Sequence, residues 1–380
     1  MPNQVYINNI SKFFPNEPVS NDEMETILGL VNGKPSRSKN IVLRQNGIKN
    51  RYYVIDKEGE IKFSNAEITA KAIKNLENKN FSINDIEVLS CGTSLPDQIL
   101  PSHASMVHGE LKNNTLEVVS PSGVCCAGMH ALKYGYLSVM SEQSNNAVCS
   151  GSEVISTLLR ADKFNKEMNC TNTLEKNPIL AFDKDFLRWM LSDGAGAVLL
   201  ENKPNSEGIS LKIEWIDTIS YANELDACMY AGSEKNEEGK LIGWREFDPE
   251  LWLEKSIFSV KQDVKLLDKY VVNRCITPLA QVMKKKNIDS VKDVDYFLPH
   301  LSSMFFKQKL YDEMKNQGIE ISDEKWFTNL TKVGNVGSAS IYIILEELFH
   351  SGRLKKGEKI LIMVPESGRF SYSYAYLTVA

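Results

Sequence analysis

Three side chains set the chemistry this sequence could perform. Cys126 stands where a glycine-containing turn, Ser122-Gly123-Val124-Cys125, runs into an apolar-periodic stretch. Ala127 and Gly128 beside it are small enough to let another molecule approach the backbone. Met129, Leu132, Tyr136, Leu137 and Met140 follow at helical spacing and would bury that helix in a core. A thiol at a helix N-terminus faces unpaired N–H groups and the positive end of the dipole, which favour the thiolate. The same N–H groups can hold an oxyanion. Far along the chain, His300 directly follows an apolar run in FLPHLSS, and Asn335 lies in the turn GNVGSAS ahead of another helix-like stretch. Each has an ordinary structural reading when taken alone: a buried cysteine beside a packing glycine, a histidine closing a strand, an asparagine supplying a turn. On one cavity they would make a nucleophile with two hydrogen-bond donors.

The elements around these residues alternate between short β-branched runs and helix-like runs, which predicts an α/β chain with helix-covered sheets. Strands are expected at VYINNI, IEVLSCGTS, AVCSGSE, GAVLLE, VDYFLPHLS, KILIMVPESG and YSYAYLTVA. A helix is expected over AEITAKAIKNLENK, with Asn65 as its cap. The order strand, small-residue turn, helix, strand occurs twice, from Ile86 to Gly151 and from Val294 to Gly368. This suggests one β-α-β unit used twice, with halves packed about a pseudo-twofold axis. The halves are expected at 1–205 and 206–380, with an inserted lid or dimer segment at about 158–186 and little periodicity over 203–257. The strip VNGKPSRSKNIVLRQNGIKNRYY carries Lys34, Arg37, Lys39, Arg44, Lys49 and Arg51. It is either a solvated loop or a binding strip for a phosphorylated ligand.

With 44 basic and 49 acidic residues the chain has net charge −5, which speaks against a nucleic-acid partner. No run of 18 apolar residues occurs, and no basic, apolar leader opens the chain, so a cytoplasmic protein with no membrane partner is expected. The seven cysteines lack metal-ligand spacing; they are expected to be reduced, with six acting as small buried hydrophobes. No metal site is expected.

The segments GVCCAGMHAL, SDGAGAVLL, LPHLSS and GNVGSAS resemble, in that order, the signatures of β-ketoacyl-acyl-carrier-protein synthase III in the thiolase superfamily. The resemblance runs from NGIKNRYY to the C-terminal ESGRFSYSYA. It implies a thiolase-like five-layered α-β-α-β-α fold of two pseudo-symmetric halves, a homodimer, and Cys126, His300 and Asn335 as catalytic residues. The N–H groups of Cys126 and Gly368 would form the oxyanion hole. Acyl-coenzyme A and acyl-carrier-protein thioesters would be substrates or partners, with no cofactor. Cys126 would accept an acyl group, and His300 with Asn335 would support a Claisen condensation with a second acyl thioester.

Departures from the family pattern single out further residues. The usual Gly-Gly-Gly-Phe reads Ser-Gly-Arg-Phe, with Glu366 just upstream and Phe370 closing the motif. Glu366 could deprotonate the donor carbon. The carrier-docking arginine is replaced by Phe305, leaving Lys307 and Lys309, or the patch Lys284, Lys285 and Lys286, to serve. Leu100 stands where a larger aromatic closes the partner's acyl pocket, which implies a longer acyl chain. The basic strip, with Arg44, Lys49 and Arg51, resembles the ketosynthase branch that joins β-ketoacyl chains into dialkylresorcinol-type lipids. Other readings are an acyltransferase forming an ester or amide, the housekeeping initiator of fatty-acid synthesis, and a scaffold that binds acyl carriers without turnover.

Overall fold

The structure, a computed structural model, describes residues 3–36, 38–163 and 186–380. Nine strands make the main sheet: β1 (Tyr6–Phe13), β2 (Val88–Thr93), β3 (Glu117–Val119), β4 (Asn146–Glu153), β5 (Gly194–Glu201), β6 (Leu211–Ser220), β7 (Tyr296–Pro299), β8 (Lys359–Glu366) and β9 (Ser371–Val379). Their order is β7-β8-β9-β6-β1-β5-β4-β2-β3. The sheet reads as two similar sets. In one, β2 and β4 run parallel, β4 and β5 antiparallel, and β5 and β1 antiparallel. In the other, β7 and β8 run parallel, β8 and β9 antiparallel, and β9 and β6 antiparallel. The sets join where Tyr6 and Ile7 of β1 pair with Lys212 and Leu211 of β6. Strands covered on both faces need continuous apolar runs, and β4, β5 and β8 are buried along nearly their whole length.

Two helices lie between the sets. Helix α2 (Cys126–Met140) packs on β2 and β4 and also touches β8 and β9. Helix α5 (Ser340–Phe349) packs on β1 and β5 and also touches β7. Glycine permits their close approach. A Cβ on Gly128 would stand 2.2 Å from the Ser338 carbonyl oxygen, and one on Gly196 would stand 2.4 Å from Tyr342 Cβ. The Tyr342 hydroxyl donates to the Gly128 carbonyl at 2.8 Å. Outside, α1 (Asn65–Lys74) covers β1, β4 and β5. On the other side α3 (Val264–Lys285) touches β8 and packs on α4 (Phe305–Asn316). The layers are helix, sheet, helix, sheet, helix.

Local details differ from the sequence reading. Helix α1 is capped by Ser64, in a capping box with Glu67, while Asn65 is already its first helical residue. Asn65 and Ala66 instead donate their N–H groups to the Asp97 carboxylate. The stretch 203–257, read as poor in periodicity, contains the ten-residue β6, which pairs with β9 along most of its length. Leu211, Lys212, Ile213, Glu214 and Trp215 alternate apolar with polar and buried with half-buried, a period-two signal confined to the first half of the strand. The basic strip contains a helix at Lys39–Asn46. Most of the expected lid, residues 164–185, lies outside the described residues.

Candidate active site

Helix α2 begins without a cap of its own. Cys125 occupies the N-cap position, and its side chain makes no capping hydrogen bond. The cap comes from the end of β8, some 240 residues away. Glu366 Oε2 accepts the N–H of Val124 and the N–H of Cys126, each at 2.9 Å. Gly123 lies beside the carboxylate: a Cβ there would stand 3.4 Å from Glu366 Oε2, an ordinary van der Waals contact. Burial raises the Glu366 pKa, while the two N–H bonds hold part of that rise back.

This arrangement corrects the expected thiol chemistry. The helix N-terminus was expected to favour the thiolate, yet both adjacent thiols have pKa values well above normal. Burial is the first cause and the charge of Glu366 the second. The N–H of Cys126, expected in an oxyanion hole, is taken by Glu366. Cys126 is fully buried, and its Sγ lies 3.4 Å from the Val364 carbonyl oxygen and 3.7 Å from that of Ser371. Its neighbour Cys125 lines a small cavity with His300 and Asn335. The motif register and this side-chain geometry therefore single out different members of the thiol pair.

His300 reaches the cavity from the end of β7, and its N–H donates to the Met363 carbonyl at 2.8 Å. Both ring nitrogens are buried and have no hydrogen-bond partner among the described residues. Burial pushes the imidazole pKa down to about 4, so at neutral pH the ring is uncharged, with one N–H to donate. Asn335 is held by its backbone: its N–H donates to the Met190 carbonyl, and its own carbonyl accepts from Ser192, both at 2.9 Å. Its Oδ1 accepts the Gly337 N–H at 3.0 Å, which leaves the side-chain NH2 as the donor. Met190, Met229 and Ser367 complete much of the wall. The cavity measures about 40 Å³, room for a few water molecules, so a long acyl chain needs the walls to move.

The other predicted contacts separate into several places. Arg51 is fully buried and donates to the Asn21 side chain at 2.6 Å and the Trp189 carbonyl at 2.7 Å. It is a fold residue, not a free phosphate ligand; its place in a basic strip gave no sign of this. Arg44 and Lys49 are exposed. Lys307 pairs with Asp323 at 2.5 Å and lies over the Trp326 ring. Leu100 is 82% exposed and is absent from the wall of its own chain's cavity. Phe370 is fully buried against Tyr270 and is likewise absent from that wall, although its neighbours Pro365 and Ser367 contribute. The Gly368 carbonyl accepts the N–H groups of Cys228 and Met229, which ties this hairpin to the segment that follows β6.

Sequence reading missed Glu153. It ends β4 as Glu366 ends β8, and its Oε1 accepts from Ser94 Oγ at 2.6 Å and from the N–H groups of Ser94 and Ser338 at 3.1 Å. The repeated strand runs AVCSGSE and ILIMVPE, each ending in glutamate, carried the available signal.

Comparison with known proteins places this geometry. Residues 284–373 match the family model described as 3-Oxoacyl-[acyl-carrier-protein (ACP)] synthase III C terminal. A beta-ketoacyl-[acyl-carrier-protein] synthase III of Clostridium beijerinckii is 24% identical over 376 residues, 98% of each chain. The solved 3-oxoacyl-[acyl-carrier-protein] synthase III of Aquifex aeolicus superposes with TM-score 0.69 at 18% identity, covering 99% of both chains. AbyA1, a tetronic acid condensing enzyme, gives TM-score 0.76 at 18% identity over 98% of this chain and 99% of its own. Xanthomonas campestris OleA, solved with bound lauric acid and lauroyl-CoA, gives 0.70 at 18% over 100% of both. The chain has the thiolase-like fold. Its sequence is similar, along nearly its full length, to that of a beta-ketoacyl-[acyl-carrier-protein] synthase III.

Proposed function

We propose that this protein is a condensing enzyme that joins two acyl thioesters through a carbon–carbon bond. The observation that carries this reading is the pair of unpartnered donors, the His300 imidazole and the Asn335 amide, on one buried cavity beside the cysteines that open α2. Cys126, chosen by the motif register, attacks the carbonyl carbon of the first thioester and releases coenzyme A or carrier thiol. The side chain must first turn from the Val364 and Ser371 carbonyls towards the cavity. The second thioester then binds with its carbonyl oxygen against the His300 ring N–H and the Asn335 NH2. Those donors stabilise the enolate that forms when a β-carboxylate departs as carbon dioxide or an α-proton is removed. The enolate carbon attacks the acyl-Cys126 carbonyl, and collapse of the tetrahedral adduct expels the Cys126 thiolate with the new bond made.

Two neutral donors suit this task, because a charged imidazolium would protonate the enolate that it is meant to hold. The same donors favour condensation over simple transfer to an alcohol or amine, which needs no enolate. The likeness to AbyA1 and OleA supports a substrate range beyond the short initiator of fatty-acid synthesis. We assign the chain, more finely, to enzymes that join β-ketoacyl chains into resorcinol-type lipids, acting as a homodimer on coenzyme A or carrier-protein thioesters. Incubation with pairs of acyl- and β-ketoacyl-thioesters, followed by mass spectrometry of the products, tests this. The expected product survives mild base. A product that hydrolyses to acid plus alcohol or amine overturns condensation in favour of acyl transfer.

A further inference from the structure

We propose that Glu366 is the base of the acylation step: its carboxylate takes the Cys126 thiol proton and, once neutral, yields the Cys126 N–H to the thioester oxygen. This rests on the condensing-enzyme reading above. It differs from a role in deprotonating the donor carbon, because it acts before any donor binds.

The first observation is position. Glu366 Oε2 already lies where an oxyanion would, 2.9 Å from the N–H of Cys126 and of Val124. A Cβ on Gly368, the residue expected to supply the second oxyanion donor, would stand 3.2 Å from Glu366 Oε1. The carboxylate thus occupies the Cys126 donor and lies beside Gly368. A thioester oxygen cannot use the Cys126 N–H until Glu366 gives it up.

The second observation is that the thiol needs a base. Burial and the Glu366 charge both hold Cys126 in the protonated form. His300 is a poor acceptor, since burial depresses its ring far below neutrality. Glu153 is committed to Ser94 and Ser338 on the other side of the central layer. Glu366 accepts the backbone N–H of the residue that carries the thiol, and burial raises its own pKa, which strengthens it as a base.

The step balances without any further reactant. The Cys126 S–H bond breaks, its proton passes to a Glu366 oxygen, and its electron pair stays on sulfur. A neutral carboxylic acid is a weaker acceptor than a carboxylate, so Glu366 loosens from the helix N-terminus as the nucleophile forms. The thiolate adds to the acyl carbon, and the oxygen of the adduct takes the vacated N–H. Collapse breaks the carbon–sulfur bond of the incoming thioester. The departing thiolate takes the proton back from Glu366, which returns to its charged form.

The test follows adduct formation by intact-protein mass in single-turnover mixing with acetyl-, octanoyl- and lauroyl-coenzyme A. Glu366→Gln preserves an acceptor for the two N–H groups and removes the base; its adduct is expected to form about 10²- to 10⁴-fold more slowly than wild type. Glu366→Ala leaves space for a small carboxylate, so formate is expected to restore part of the rate. Glu366→Asp is expected to fall in between. Wild-type circular dichroism and unfolding midpoints in these variants keep the comparison at the level of chemistry. Acylation of Glu366→Gln at the wild-type rate overturns the assignment, including the case where only later condensation is lost. Slow acylation with no rescue by formate and no residual rate in Glu366→Asp also overturns it, because it marks Glu366 as a cap alone. Absence of any adduct in wild type, by contrast, sinks the condensing reading itself and with it the substrate of this proposal.

Discussion

The two ends of the repeated strand unit solve one problem in the same way and then diverge. At the end of β8, Glu366 caps the uncapped start of α2; at the end of β4, Glu153 reaches Ser338, just ahead of the uncapped start of α5. Each glutamate spans from its own half of the sheet to a helix start in the central layer. Buried peptide N–H groups must find acceptors, and a carboxylate at a helix N-terminus is a strong one. The neighbours make the difference. Glu153 accepts the hydroxyl and N–H of Ser94 and a single N–H from the turn, that of Ser338, whose own hydroxyl donates to the Gly92 and Ser152 carbonyls. Glu366 has two peptide N–H groups on a turn that bears a thiol. The device thus occurs twice, and only one of the two turns bears cysteine.

The largest effect is expected at the thiols. Cys126→Ser should abolish the acyl adduct, by more than about 10³-fold in rate, while Cys125→Ser should keep it; intact mass after exposure to lauroyl-coenzyme A reads both. The reverse pattern would assign the nucleophile to the cysteine that lines the cavity in this structure. On the opposite helix start, Asn335→Ala should leave acylation near wild type and slow condensation by about 10²- to 10³-fold, the usual cost of one oxyanion donor. Separate measurement of the two half-reactions decides this. Equal slowing of both would mean that the turn shapes the whole cavity.

The contact between the two helix starts offers a test of packing. A Cβ at Gly128 would sit 2.2 Å from a backbone oxygen, so Gly128→Ala should cost about 3 kcal/mol in denaturant unfolding, the upper range for overpacking. Wild-type stability in that variant would show that the central layer is looser than its geometry implies. The smallest effect concerns Glu153 alone. Burial raises its pKa to about 7. A carboxyl group with a raised folded-state pKa binds protons more tightly in the folded chain, so its contribution is fully present below about pH 4.5 and is lost as pH rises through 7. At roughly 1.4 kcal/mol per pKa unit, Glu153→Gln should gain on the order of 1–3 kcal/mol at pH 8 and little at pH 4. Unfolding midpoints of both proteins across that range measure it. A gain that does not depend on pH would mean that Glu153 is charged at no cost in the fold.

Much of this was legible in the sequence because it depends on local pattern. Apolar runs marked the buried strands, helical spacing behind Cys126 marked α2, and the repeated strand-turn-helix-strand order marked the duplicated topology, as the matching parallel pairs β2·β4 and β7·β8 demonstrate. His300 and Asn335 stood out because a strand end and a glycine-flanked turn are positions where a side chain can face a cavity. Arg51 was misread for the same reason: a basic strip looks solvated until a carbonyl such as that of Trp189, 138 residues away, comes to meet one of its members.

The sequence by itself determined the alternation of elements, their duplication and the residue types able to perform acyl chemistry, since these follow from side-chain volume, polarity and spacing of two or three and a half residues. Only the tertiary structure decided which thiol faces the cavity, which carboxylate caps which helix, and whether the helix start raises or lowers a thiol's pKa. Those outcomes depend on burial and on contacts between groups some 240 positions apart, where no local pattern reaches: desolvation first, and the Glu366 charge second, raise the Cys126 thiol pKa.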